Sequence, residues 1–102
     1  MPARDPHREL EEVDRVFAAL ANGSRRQILL ALHFHGGRMT AGAVASRFAC
    51  SWPTTTRHLR RLEDAGLVHV ERSGRERFYS LESASLRRVV GDWLAWFSSR
   101  VP

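Results

Sequence analysis

The chain has 102 residues, 43% hydrophobic and 26% charged, enough for one small core and too few for two domains. Its formal net charge of +5 and pI near 11.2 point to a polyanionic partner. Cys50 is the single cysteine, which excludes an internal disulfide and a multi-thiolate metal site, and no apolar run reaches membrane-spanning length, so a cytoplasmic protein is expected.

Residues 1–8, MPARDPHR, carry two prolines and mixed charge without periodicity and read as a flexible arm, leaving 9–102 for the folded domain. From Glu9, Leu10, Val13, Val16, Phe17 and Leu20 recur at helical spacing, and Asn22-Gly23 ends this first helix. Asn22 or Ser24 caps a second helix, whose inward stripe is Ile28, Leu29, Leu32 and His33 and which Gly36-Gly37 stops. Thr40 caps a short third helix bearing Ala41, Val44, Ala45 and Phe48. Ser51 starts the fourth, with Pro53 in its first turn and Gly66 after its end.

Beyond Gly66 the period becomes twofold. Leu67–Arg72 and Arg77–Leu81 read as the two strands of a hairpin turning at Ser73-Gly74. Ser83 or Ser85 then caps a last helix carrying Leu86, Val89, Val90, Trp93, Leu94 and Phe97. The expected fold is mainly α with a small β-hairpin: four helices, a hairpin and a fifth helix, the order of a winged helix-turn-helix.

Charge is sorted along this order. All 16 basic residues are arginine, and from Arg15 to Leu62 eight of them occur without one Asp or Glu. On a helical wheel Thr55, Leu59 and Leu62 share one side of the fourth helix, while Pro53, Arg57, Arg60 and Asp64 lie opposite, with Thr54 and Arg61 on a flank. The apolar side anchors the helix, which frees Thr54, Arg57 and Arg61 to meet base edges and phosphates in a major groove.

Four blocks in this order resemble the ArsR-type repressors: LANGSRRQILLAL (Leu20 to Leu32), VASRF (Val44 to Phe48), SWPTTTRHLRRLEDAGLV (Ser51 to Val68) and RSGRERFYSL (Arg72 to Leu81). Where that family usually has Asp-Pro-Thr-Arg, this chain has Asn-Gly-Ser-Arg. The resemblance implies a homodimer joined through the first and last helices, whose recognition helices, about 51–65, enter successive major grooves of double-stranded DNA with an inverted-repeat operator. The expected DNA contacts are Ser51, Trp52, Thr54, Thr56, Arg57, His58 and Arg61, with Arg75 and Arg77 from a wing at about 72–77. The expected dimer interface is Leu10, Val13, Phe17, Val89, Val90, Trp93, Leu94 and Phe97; so small a domain cannot bury all of its own apolar faces.

Several residues keep two readings. Trp52 can pack on a DNA sugar or thymine methyl, or cover the end of its own helix. His58 can bridge to backbone or touch a phosphate, and the wing arginines can be solvated or grip DNA. Cys50 precedes the recognition helix, where it is either a redox switch or a small buried hydrophobe.

ArsR-type metal sensors use cysteine pairs near the recognition helix or Asp and His on the last helix. Here Cys50 is alone, Asp92 has no histidine on its helix, and His33 and His35 diverge, so neither metal nor cofactor is expected. No nucleophile elbow, phosphate loop or metal-hydrolase pattern suggests an enzyme. The competing functions are a winged-helix protein-interaction module and a non-specific architectural DNA binder.

Overall fold

The computed structural model describes residues 6–49 and 51–98; residues 1–5 of the expected arm at 1–8 and the question posed by Cys50 lie outside them. The first helix, α1 (Pro6–Leu20), begins three residues ahead of the expected start, because Pro6 can occupy a first helical position where no N–H is needed. Its stripe of Val13, Val16 and Leu20, joined by Ala19, faces the core.

Asn22 caps α2 (Gly23–Phe34), its Oδ1 accepting from the Arg25 N–H at 3.1 Å. Ile28, Leu29, Ala31 and Leu32 are buried. His33 is exposed, contrary to its expected inward position; Ala31 takes that place, and the imidazole stacks edge-on with exposed Phe34 at 5.1 Å.

Gly36 and Gly37 both have positive φ, 79° and 92°, and turn the chain so that Gly37 N–H reaches Leu32 O at 2.7 Å. Gly37 O then accepts from Leu81 N–H, also at 2.7 Å, and aligns a strand that the sequence reading did not contain, β1 (Arg38–Thr40). Thr40 caps α3 (Ala41–Phe48) through Oγ1 to Ala43 N–H at 3.1 Å. Ser51 caps α4 (Trp52–Asp64).

The hairpin strands are β2 (Val68–Ser73) and β3 (Glu76–Leu81). They belong to a three-stranded antiparallel sheet of order β1-β3-β2, with Met39 opposite Tyr79 and Tyr79 opposite Val70. Between the hairpin strands stand Gly74 and Arg75, and only Gly74 has positive φ, 62°, the pattern of a II′ turn that leaves Arg75 at the tip.

The last helix, α5 (Ser83–Ser98), returns across α1. Arg88 donates to both carboxylate oxygens of Glu12 at 2.9 Å, and this bond holds the Glu12 carboxyl below its ordinary pKa. The core formed between these layers centres on Val16, Leu32, Val44, Leu59, Leu62, Leu67 and Val68.

Among the described residues one buried side-chain atom is unsatisfied. Thr55 Oγ1 is buried and has no hydrogen-bond partner among the described residues. Such a hydroxyl costs about 1–3 kcal/mol to desolvate. Thr55→Val keeps the branched shape and should raise the unfolding free energy by about 1 kcal/mol. A denaturant midpoint at or below that of the unchanged chain would show that the hydroxyl does bind a partner.

Candidate nucleic-acid interface

Burial of Thr55, Leu59 and Leu62 fixes the rotation of α4, so Arg57, Arg60 and Arg61 stand in solvent while Thr54, Thr56 and His58 are half-buried at its flanks. The capping residue organises the first turn. Ser51 Oγ accepts from Thr54 N–H at 3.3 Å and donates to Thr54 Oγ1 at 2.9 Å; Arg57 Nη2 donates to the same oxygen at 3.4 Å. Both lone pairs of Thr54 Oγ1 are thereby occupied, which leaves its O–H free to donate outward.

Trp52 is 59% exposed, yet its ring leans on α3: a Cβ built on Gly42 would lie 3.6 Å from Cη2 of the indole. The ring therefore covers the start of α3 and still offers its outer face. His58 neither bridges to backbone nor stands free. Its Nδ1 lies 3.5 Å from Arg25 Nη1, and since arginine only donates, the histidine proton belongs on Nε2. Burial first, then the charges of Arg25 and Arg57, lower the His58 pKa, so it is neutral at neutral pH.

Arg25 and its neighbour Arg26 have a structural role instead. Arg25 Nε donates to Ala19 O at 2.8 Å and Nη2 to Ala18 O at 3.2 Å, while Arg26 Nη1 donates to Leu20 O at 2.7 Å. Two arginines of the acid-free run thus satisfy the carboxyl end of α1. Burial, and then Arg61, lower the Arg25 pKa from its ordinary value.

In the wing, Arg72, Arg75 and Arg77 are all exposed, and Arg72 stands directly opposite Arg77 across the hairpin. On the other sheet face His69 lies between Glu82 and Glu71, and these two carboxylates, Glu82 foremost, raise its pKa. That cluster is separate from the arginine face.

The expected interface residues divide into two groups. Leu10, Leu94 and Phe97 are exposed and Val13, Phe17 and Val90 half-buried, whereas Val89 is only 4% exposed and belongs to the core of its own chain. Trp93, 42% exposed, meets Phe17 of its own α1 edge-on at 5.0 Å and Phe97 at 4.9 Å. Trp96, 79% exposed, extends the apolar strip. Among the described residues no group of three His, Cys, Asp or Glu side chains could hold a metal ion, and no helix is long and apolar enough to cross a membrane.

Comparison with known proteins agrees with this geometry. A family model described as a helix-turn-helix domain matches residues 20–71. The transcriptional repressor SdpR of Bacillus subtilis is 34% identical over 88 residues, covering 86% of this chain and 94% of that protein. The crystal structure of the ArsR family transcriptional regulator RHA00566 superposes with a TM-score of 0.77 at 30% identity, over 98% of this chain and 100% of that one. The solution structure of the homodimeric winged helix-turn-helix DNA-binding domain of Mb0332 from Mycobacterium bovis gives 0.72 at 27% identity, over 99% and 94%. With α3 and α4 forming the helix-turn-helix and β2 and β3 the wing, the chain belongs to the ArsR family of winged helix-turn-helix transcriptional regulators.

Proposed function

We propose that this chain is a cytoplasmic transcriptional repressor that binds duplex DNA sequence-specifically as a homodimer. The observation that carries this reading is the exposed face of α4, where Arg57 and Arg61 project beside the half-buried Thr54 from a helix anchored behind by Thr55, Leu59 and Leu62. Ser51, Trp52, Thr56 and His58 flank that face, and Arg75 and Arg77 reach the backbone or minor groove from the wing.

A guanidinium beside an outward hydroxyl can read a guanine edge and a neighbouring acceptor in a major groove. The second copy docks through α1 and α5, where Leu10, Trp93, Leu94 and Phe97 leave an apolar strip uncovered. The homodimeric state of Mb0332 and the repressor role of SdpR support the two assignments.

Selection of bound sequences from random duplex DNA tests the proposal. The expected product is an inverted repeat with half-site centres about 10 base pairs apart, as two-fold symmetric recognition helices require. Salt-sensitive binding without an enriched motif would make the chain a non-specific DNA binder. No duplex binding at all would favour a protein-interaction module.

A further inference from the structure

The arginines of this chain are sorted by what satisfies them. Arg25 and Arg26 hold backbone carbonyls, Arg88 holds Glu12, and Arg38 lies 3.9 Å from Glu71 and 4.0 Å above the Phe78 ring. Arg60, Arg72 and Arg77 make no ion pair and no side-chain hydrogen bond among the described residues. These three line one groove, closed on one side by α4 with Thr56 and on the other by the stem of the wing.

The register explains why they converge. Val70 and Tyr79 face each other on the core side of the sheet, and Arg72 and Arg77 are the next pair outward on that same side. The sheet face that packs beneath α4 therefore continues into two guanidinium groups directed to the helix that carries Arg60. Like charges directly opposite on paired strands are destabilising, so an anion held between Arg72 and Arg77 would relieve their repulsion. Glu63 also lines the groove but approaches none of the arginines within ion-pair distance.

We infer that this groove is a phosphate clamp in which Arg72 and Arg77 of the wing stem and Arg60 of α4 close together on a single phosphodiester of the bound duplex, with the Thr56 hydroxyl as a fourth donor. The inference rests on the DNA-binding reading above and adds Arg60 and Arg72 to the expected contacts. Bidentate guanidinium groups suit a tetrahedral phosphate, and one phosphate gripped from both elements fixes the angle between wing and recognition helix on the DNA. The clamp carries no base information; its role is register.

The test measures duplex affinity against salt for the unchanged chain, Arg72→Gln, Arg77→Gln and the double variant. Each single change should weaken binding to all sequences by about three- to tenfold, and because the guanidinium groups share one phosphate the salt slope should fall by about one in total in the double variant, not by one for each change. Because both side chains share one phosphate, the double variant should lose distinctly less than the product of the two single losses. Without DNA the single variants should melt no lower than the unchanged chain, since a like-charge pair has been relieved.

An unchanged slope in the double variant, or one that falls by about two, strictly multiplicative losses, or a lower melting temperature would each overturn the clamp. Inorganic phosphate replacing chloride at equal ionic strength separates the remaining occupant: if phosphate stabilises the unchanged chain but not the variants while the DNA slope stays constant, the groove takes free phosphate instead. Failure of the unchanged chain to bind any duplex would refute the DNA-binding reading itself, a result distinct from all of these.

Discussion

Replacing Trp93 with Asp should abolish high-affinity DNA binding without touching α4. Trp93 lies in the apolar strip that α5 presents, edge-on to Phe17 and beside Phe97, with part of its ring uncovered. A carboxylate forced into an apolar seam between two copies costs about 3–5 kcal/mol, a dimer weakened more than a hundredfold. Each half-site then binds without the linked second contact and loses its effective concentration.

Sedimentation and a DNA titration on the same samples read both effects. Because Trp93 also packs on α1 of its own chain, Trp96→Asp is the companion variant: Trp96 is far more exposed and has no ring contact among the described residues. A folded Trp93→Asp dimer of normal affinity would remove α5 from the interface. Unfolding of Trp93→Asp with a normal Trp96→Asp dimer would assign Trp93 to its own core.

Arg57→Ala is expected to weaken binding to the selected site by about 1–3 kcal/mol, roughly 5- to 150-fold, and to leave stability intact. The side chain is exposed and its hydrogen bond within the chain is the 3.4 Å contact to Thr54 Oγ1, so little of the fold depends on it. Comparison of the selected site with random duplex separates two modes of contact. A loss confined to the selected site means a base edge; equal losses on both mean a phosphate. Unchanged affinity in a normally folded variant would take Arg57 off the interface.

Helices, caps and hairpin were legible in the sequence because their signals are local. Asn22, Thr40 and Ser51 each cap as their residue type predicts, and the shift from helical to twofold period at Gly66 marks the wing. The strand Arg38–Thr40 was not legible: three residues show no period, and the partner that makes them a strand lies far along the chain. A helical wheel also cannot weigh the neighbours that leave His33 in solvent and bury Ala31.

Charge was legible in sum but not in use. Arg25, Arg26 and Arg57 look alike in an acid-free run, yet the first two hold the end of α1 and the third stands free of backbone. The one available signal was their position just after the end of one helix and at the start of the next, where a cation suits the exposed carbonyls of the helix before it. Arg60 and Arg72 join one groove only through the register of the hairpin beneath α4.

The short strand β1 also decides the order in which this molecule can assemble. Pairing Met39 with Tyr79 closes a loop of about forty residues that contains the whole helix-turn-helix, and the entropy of that closure must be met before the pairing returns any energy. A half-formed hairpin cannot hold α3 and α4 in place, and those helices alone lack the strand that seals the loop. The reading head and its wing are therefore expected to melt together, as one cooperative unit, with fraying confined to the tip at Gly74 and Arg75.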